Sequence, residues 1–195
     1  MSGRKRYDEE AALDAAMRAF WERGYEGASV AALERATGLN KSSLYNAYQS
    51  KDRLFEICLK RFSTRYGGRL AETLEAPRFA DAMRDFFDAL IERFEDPGAP
   101  DGCMTTMAAM EASAVSGPAR AFVRANQEAL RGAFAQRAAK AVTDGDLPEG
   151  TDCDALGAML VAQARGIAVL NRGTGDAALA RDAVRGALAL LPKAT

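Results

Sequence analysis

The sequence predicts an all-α protein of about nine helices, in which a short three-helix unit precedes a larger helical segment. Apolar residues recur at spacings of three and four nearly throughout the 195 residues, which is the period of an amphipathic helix. No run of alternating β-branched residues, the usual mark of a strand, interrupts this pattern. Clusters of Gly and Pro separate the periodic segments and mark the expected loops.

Composition limits the classes of function that fit this chain. The net charge is -1, so binding to nucleic acid requires a local basic patch rather than a basic molecule. The chain has no histidine, which removes the commonest general base and metal ligand. The sequence shows no paired carboxylates and no phosphate-binding loop, either of which would indicate an enzyme. We therefore expect no enzymatic activity, no cofactor and no bound metal.

Cysteine usage and hydropathy indicate where the protein works. Cys58, Cys103 and Cys153 are odd in number, far apart and form no CxxC pair, which favours a reduced cytoplasm over a disulfide-stabilised fold. The basic N-terminal tip lacks the apolar run of a secretory signal. No uninterrupted apolar run approaches the roughly 20 residues that span a bilayer. We expect a cytoplasmic protein with no membrane partner.

Capping residues and glycine or proline breaks place the helices in order along the chain. Ser, Asn or Asp precedes a helix as its cap, glycine ends one, and Pro118 lies in a first turn, where proline is tolerated. For the first three helices the expected caps and ends are Asp8 and Gly24, Ser29 and Gly38, and Asn40 and Gln49. The later helices are expected at residues 51–75, 79–95, 104–114, 118–142, 154–171 and 176–191.

The second and third helices, joined by the turn at Gly38, are expected to form a helix-turn-helix braced by the first helix. Leu33, Leu39 and Leu44 supply its buried side. In such a unit the second helix of the pair enters the major groove of DNA with its N-terminal residues towards bases and phosphates. The amides that begin this helix add a site for an anion. The polar residues left to contact DNA are Lys41, Ser42, Ser43, Tyr45, Asn46 and Tyr48, followed by the cation of Lys51.

Some of these features have two interpretations. The basic tip Arg4-Lys5-Arg6 is either an arm that reaches an adjacent groove or phosphate, or a disordered solubilising tip. Tyr45 and Tyr48 each either contact DNA directly or belong partly to the core of the unit. The pattern of the residues leaves both choices open.

The segment from Gly24 to Leu59, "GYEGASVAALERATGLNKSSLYNAYQSKDRLFEICL", resembles the DNA-binding region of TetR-type transcriptional regulators. The elements that match keep the family's spacing: Gly24-Tyr25, Ser29, Gly38, Ser43-Leu44-Tyr45, Tyr48, Ser50-Lys51 and Leu54-Phe55. Two positions depart from the family pattern. Tyr48 stands where phenylalanine is commoner, and Glu34 stands where alanine is usual, so we expect its carboxylate to reach water.

The resemblance implies two domains and a function. Residues 1–50 would form the helix-turn-helix DNA-binding domain, with Ser29 added to its DNA contacts, and residues 51–195 a helical effector-binding and dimerisation domain. The implied protein is a sequence-specific repressor that binds a palindromic operator in double-stranded DNA and is released by a small-molecule effector. The other classes considered are an α-helical enzyme and a nonspecific nucleic-acid-binding protein, and the missing catalytic motifs and the balanced charge disfavour them.

A homodimer is expected from geometry as well as from the family. One recognition helix reads only a few base pairs, whereas two helices about 34 Å apart reach successive turns of the major groove. We expect the last two helices to pack against their symmetry mates in an isologous four-helix interface. Its predicted residues are Leu156, Met159, Leu160, Gln163, Ile167 and Leu170 on one helix, with Val184, Leu188 and Leu191 on the next.

The effector site is expected around the stretch Pro97 to Ala121, which resembles the middle of one TetR subgroup and implies a sensing domain. The sulfur atoms of Cys103, Met107 and Met110 are soft ligands and would suit a copper(I) or redox sensor. Methionine at helical spacing is instead typical of core filling or of a pocket for organic ligands. Glu111 and Arg165 are each either a ligand anchor or a residue paired or solvated elsewhere. We expect an organic effector. Its predicted site residues are Phe62, Tyr66, Phe86, Phe87, Cys103, Met107, Met110, Glu111 and Arg165.

Overall fold

The computed structural model describes residues 8–115 and 117–192, and within these ranges the chain forms nine helices and no strand. The helices are Glu9–Gly27 (α1), Val30–Thr37 (α2), Lys41–Tyr48 (α3), Lys51–Thr73 (α4), Phe79–Phe94 (α5), Met104–Met110 (α6), Gly117–Thr143 (α7), Cys153–Thr174 (α8) and Ala177–Ala189 (α9). The predicted all-α class is confirmed. The tip Arg4-Lys5-Arg6, predicted as an arm or a solubilising tip, lies outside the described residues.

Side-chain caps begin the first four helices; those at Asp8, Ser29 and Asn40 were predicted from the sequence, and that at Ser50 was not. Each capping oxygen accepts a hydrogen bond from the backbone N–H three residues further on, which satisfies a donor that the first turn would otherwise leave unpaired. The pairs are Asp8 with Ala11 at 3.1 Å, Ser29 with Ala32 at 3.2 Å, Asn40 with Ser43 at 2.8 Å and Ser50 with Arg53 at 3.0 Å. Gly38 ends α2 in the left-handed conformation, with φ 71° and ψ 6°.

A cluster of aromatic rings fastens the helix-turn-helix unit to the rest of the protein. The Phe20 and Phe55 rings lie 4.8 Å apart, and the Trp21 and Phe62 rings meet edge to face at the same distance. These contacts join α1 to α4, whose first residues follow α3 directly. Because α4 runs on into the larger helical part, it connects the two halves of the molecule mechanically.

The larger part packs α7 closely against α8, with α5 beside them. Gly157 permits the close approach, since a Cβ there would lie 2.7 Å from the carbonyl oxygen of Arg131. The Phe86 ring of α5 meets the Phe134 ring of α7 edge to face at 4.8 Å. A cavity lies between α4, α5, α7 and α8.

The last two helices carry the predicted dimer residues on two different faces. Leu160 and Ile167 are each 1% exposed, so they belong to the core of the protomer and their prediction as interface residues was wrong. Leu156, Val184 and Leu191 are buried in the same way. Met159 and Leu170 point outward, with 45% and 37% exposure.

One helix, α8, is long and apolar enough to cross a membrane by length and composition alone. The sequence had led us to expect no run of that kind. A core helix of a globular protein passes the same test, and a third of the apolar window is buried inside the protomer. Arg165 in the middle of α8 is hydrogen-bonded to Thr105 at 3.0 Å, so its charge has polar protein partners.

Candidate DNA-binding surface and effector cavity

The recognition helix α3 presents a polar face to solvent. Lys41, Ser42 and Asn46 are exposed, and Ser43 and Tyr45 are half-buried. Tyr48 is only 5% exposed, because it lies one turn from the buried Leu44 and faces the same core. Of the two interpretations that the sequence left open for Tyr48, a DNA contact or a core residue, the structure therefore shows the core residue.

The start of α3 is already occupied by side chains of the same protein. The Asn40 amide oxygen accepts from the Ser43 N–H, and the Glu34 carboxylate accepts from the Lys41 N–H at 2.6 Å. Glu34 was expected to reach water, but it spans the turn and caps the recognition helix. Two of the amides proposed as an anion site are therefore engaged, which leaves less of the helix N-terminus for a phosphate than the sequence suggested.

We call Gly24, Tyr25, Lys51, Asp52 and Glu111 the junction cluster, because they join α1, α4 and the end of α6. The Lys51 Nζ lies 4.4 Å from the centroid of the Tyr25 ring, and the Tyr25 hydroxyl donates to the Asp52 carboxylate. Burial and the Asp52 carboxylate raise the pKa of Tyr25 to about 12. Burial lowers the pKa of Lys51, against the opposing effect of nearby carboxylates. Lys51 is thus held in place beside the recognition helix.

Glu111 fixes the junction cluster to the effector half of the protein. Its carboxylate accepts from the Tyr25 N–H at 2.6 Å, where α1 is kinked at Gly24 (φ 73°, ψ 178°). A Cβ at Gly24 would overlap this carboxylate. The prediction that Glu111 anchors a ligand was therefore wrong, because its carboxylate is committed to the DNA-binding half.

A cavity of about 250 Å³ lies in the larger part of the protein, and its lining is mostly apolar. It gathers five of the predicted effector residues: Phe62, Tyr66, Phe86, Cys103 and Arg165. Arg93 and Asn126 also line it and were missed, because nothing near them in sequence marks them as neighbours of Cys103. The one available signal was a cation, Arg93, set between the apolar Ile91 and Phe94 of α5.

Three further predicted residues do not reach this cavity. Phe87 is fully buried in the core, and Met110 is 63% exposed at the end of α6. Met107 is half-buried and is not among the lining residues. The reason is that α6 has only seven residues and meets the cavity at its beginning, through Cys103 and Thr105. The sulfur atoms of Cys103, Met107 and Met110 are therefore not gathered in the cavity.

Cys103 lies at the polar end of the cavity. Burial alone raises the pKa of its thiol, but Arg93, Arg165 and hydrogen bonds from Thr105 and Thr106 outweigh burial and lower the pKa to about 6. By contrast, burial raises the pKa of the Cys58 thiol well above its ordinary value. Cys103 is therefore mainly a thiolate at neutral pH. Among the described residues, no group of three His, Cys, Asp or Glu side chains is placed to hold a metal ion.

Family models match both halves of the chain. Residues 12–58 match the model described as bacterial regulatory proteins of the tetR family. Residues 80–187 match the tetracyclin repressor-like C-terminal domain. The order and positions of the two matches agree with a DNA-binding part followed by a larger helical part.

Two curated relatives are similar in sequence. The HTH-type transcriptional repressor ComR of Escherichia coli (strain K12) is 37% identical over 101 residues, which are 51% of this chain and 48% of ComR. The chain thus spans about half the length of ComR. YezE of Bacillus subtilis (strain 168), an uncharacterized HTH-type transcriptional regulator, is 28% identical over 193 residues, or 98% of this chain and 100% of YezE.

Solved structures share the fold over nearly the whole chain. A cysteine mutant of the TetR family transcriptional regulator CifR, complexed with 26-bp double-strand operator DNA, has a TM-score of 0.88 and 29% identity, covering 97% of this chain and 100% of CifR. A putative TetR transcriptional regulator from Rhodococcus sp. RHA1 is 34% identical with a TM-score of 0.62, covering 96% and 100%. The chain belongs to the TetR family, and it is a DNA-binding transcriptional regulator.

Proposed function

We propose that this regulator is a cytoplasmic repressor, which binds a palindromic operator as a homodimer and leaves it when a small-molecule effector enters the cavity. One observation supports this proposal above the others: the same chain has an exposed recognition helix, a mostly apolar cavity, and a junction cluster that connects α1 and α4 of the DNA-binding part to the end of α6. ComR, which is named a repressor, and CifR, solved with operator DNA, support the proposal. Residues 1–50 would read DNA, and residues 51–195 would bind the effector and form the dimer.

The DNA-reading surface that we propose centres on the exposed face of α3. Ser42, Ser43 and Asn46 lie where a recognition helix meets base edges. The half-buried Tyr45 ring lies 5.9 Å from the Lys41 Nζ. The cation of Lys41 is exposed on the first turn of α3. Ser29, exposed at the start of α2, and Lys51, at the start of α4, flank this face and suit phosphate contacts.

Removing Lys51 should separate phosphate contacts from base contacts. Lys51→Ala should weaken binding to all sequences and reduce the slope of log affinity against log salt by about 1, because one fewer counterion is released. Asn46→Ala should instead change the preference at particular base positions, by about 1–3 kcal/mol. Fluorescence anisotropy with operator variants over a salt series measures both effects.

Lys60→Ala is the matched control for this prediction. Lys60 is exposed on the same helix as Lys51, and its ammonium pairs with Glu56 at 2.7 Å. Its removal should leave both the affinity and the salt slope near the wild-type values. An unchanged affinity and slope in Lys51→Ala would remove Lys51 from the DNA contacts.

The dimer interface that we propose is the outward face of α8 and α9. The exposed face of α8 carries three small residues at intervals of four: Ala158, Ala162 and Gly166. Small side chains there let a second helix approach closely. Large apolar side chains that are exposed beside them are Met159, Val169, Leu170, Leu179 and Leu190. Exposed apolar residues on these two helices favour an isologous interface with a second copy.

Effector release would act through α4. This helix lines the cavity with Phe62 and Tyr66 and carries Lys51 at its start, beside the recognition helix. An effector that binds better when α4 is displaced would favour a spacing of the two recognition helices that does not fit the operator. The size of the response equals the difference in effector affinity between the two arrangements.

Reaction at Cys103 is the second candidate for the signal, because its thiol is ionised at neutral pH and lines the cavity. An oxidant or an alkylating compound would then act in place of a noncovalent effector. Copper(I) fits less well, because the guanidinium groups of Arg93 and Arg165 that lower the thiol pKa also repel a cation. Met107 and Met110 are not among the lining residues.

The ionised thiol should make the stability of the protein depend on pH in a defined window. The folded pKa is about 6 against an ordinary value of 9.0, so between these values the unfolded chain binds more protons than the folded one. The unfolding free energy of the wild type relative to Cys103→Ser should therefore rise from pH 6 to pH 9. Urea unfolding of both proteins across this pH range measures the difference in unfolding free energy. A difference that does not change with pH would show that the pKa of the folded thiol is not lowered.

A further inference from the structure

Two arginine side chains face the cavity without an acidic partner. Arg93 of α5 and Arg165 of α8 both line it, and no described lining residue is Asp or Glu. Nε and Nη2 of Arg93 and Nε of Arg165 are buried without a hydrogen-bond partner. An unpaired guanidinium N–H out of contact with water is costly, and an anion is the partner that offsets this cost.

Arg93 contacts aromatic rings and forms no ion pair with a described carboxylate, although Glu92 and Asp96 lie on the same side of the protein. Its guanidinium lies 5.5 Å from the centroid of Phe62, 5.8 Å from Tyr66 and 5.0 Å from Phe94. The acidic residues near it on the chain are engaged elsewhere: Glu92 pairs with Arg69 at 2.5 Å, and Asp96 accepts from the Gly98 N–H at 2.8 Å. The rings hold the cation in place and leave its N–H groups available.

The partners of Arg165 are neutral apart from the thiol. Its guanidinium donates to Thr105 at 3.0 Å, to Thr106 at 3.2 Å and to Asn126 at 3.3 Å. The Cys103 sulfur lies 3.6 Å from the same group and supplies at most one negative charge. Two cations and one thiolate leave the polar end of the cavity with a net charge of +1, which a monoanion would neutralise.

We propose that the effector is a small organic carboxylate, whose charged group binds Arg93 and Arg165 and whose apolar body fills the cavity beside Phe62, Phe86 and Leu90. The inference rests on the proposed function, in which the cavity takes the effector. The two oxygens of a carboxylate match the planar fork of a guanidinium, and such charge-assisted pairs are stronger than hydrogen bonds between neutral groups. The volume of about 250 Å³ lies just below the range of about 300–1,000 Å³ that is usual for ligand pockets, so the ligand is small.

The test compares carboxylates with neutral molecules of the same shape. Benzoate, phenylacetate and octanoate are each measured against the corresponding primary amide, by thermal shift and by calorimetric titration of the full-length protein. At least one carboxylate should bind and raise the melting temperature, and its amide should bind about 10- to 100-fold more weakly. Equal binding of the amides, or no binding of any carboxylate, would overturn the inference.

Arginine variants then locate the charge. Arg93→Met and Arg165→Met should each weaken the carboxylate about 10- to 100-fold, and Arg93→Gln serves if the methionine variant does not fold. Arg84→Met is the matched control, since Arg84 is exposed on the same helix as Arg93 and pairs with Asp81 at 2.7 Å. The melting temperature of ligand-free Arg93→Met should not fall, because an unpaired cation is replaced by an apolar chain. Carboxylate binding that survives in both methionine variants would contradict the assignment.

Operator release separates this inference from the proposed function. If a neutral compound binds the cavity and releases the operator, the carboxylate assignment fails while the ligand-responsive repressor stands. If a carboxylate binds through Arg93 but the operator stays bound, the anion site stands and its role in release fails. Calorimetry measures binding of the compound, and anisotropy of labelled operator measures release of DNA, with the same protein samples used for both.

Discussion

Gly166→Glu is expected to split the proposed dimer and to lower operator affinity by about 100- to 10,000-fold, because a monomer loses the gain of binding two linked half-sites. Gly166 lies on the exposed face of α8 between Ala162 and Val169. A Cβ there meets nothing within 4 Å, so the protomer itself accommodates a side chain. In a twofold interface the new carboxylate and its symmetry copy would be buried without partners.

Sedimentation velocity measures the assembly, and anisotropy with the operator measures the affinity. The matched control is Gly68→Glu, which introduces the same residue at an exposed glycine of α4 where a Cβ also meets nothing within 4 Å. The control should remain dimeric and bind the operator. If Gly166→Glu sediments as an intact dimer, α8 is not at the interface. Ile167 is unsuitable for this test, because it is 1% exposed and its replacement would unfold the protomer.

Gly24→Ala is expected to lower the unfolding free energy by about 3–5 kcal/mol. The backbone at Gly24 has φ 73° and ψ 178°, a region that only glycine adopts without strain. In addition, a Cβ would overlap the Glu111 carboxylate and break its hydrogen bond to the Tyr25 N–H. The substitution therefore strains the DNA-binding half and detaches it from α6.

A control and a double mutant separate the two causes. Gly145→Ala introduces the same methyl group at φ 75°, where nothing lies within 4 Å, and should cost about 1 kcal/mol. In Gly24→Ala with Glu111→Ala the overlap disappears, so the double mutant should lose less stability than the sum of the single mutants. Urea unfolding gives the four values. A Gly24→Ala variant as mild as Gly145→Ala would contradict the contact with Glu111.

The helices were predictable because their signals are local. Asp8, Ser29 and Asn40 each cap the helix that follows them, and Gly38 ends α2, so a few adjacent residues determine these boundaries. The predicted end of α1 at Gly24 was wrong, because the helix is kinked there and continues to Gly27. The helix-turn-helix followed from the same signals together with the buried Leu33, Leu39 and Leu44. Spacing was sufficient there, since each buried position lies within a turn or two of its cap.

The cavity was only partly predictable, because its residues come from segments far apart in the chain. Cys103, Phe62 and Arg165 were identified by type, but Arg93 and Asn126 became visible only when the helices were packed together. The assignment of faces on α8 failed for a different reason. A helix that is apolar on most sides does not show by its periodicity which side faces the core and which faces a partner.

The positions of Glu111 and Tyr48 also depend on contacts between helices. Glu111 was expected to be either a polar anchor of the effector or a residue paired elsewhere, and the end of the short α6 directs its carboxylate towards Tyr25. Tyr48 was counted with the polar residues of α3 because of its hydroxyl, yet its ring is 5% exposed. In both cases the packing of neighbouring helices decided the position.

Competition for DNA tests whether the protein binds a specific palindromic operator as a dimer. A duplex that the purified protein retains from fragments of its own genome is labelled and competed against random duplex of equal length at fixed salt, and the mass of the complex is measured. We expect that a palindromic sequence is retained, that random duplex competes about 1,000-fold less well or worse, and that each site holds two protomers. Equal competition by random duplex, or one protomer on a site without symmetry, would contradict it.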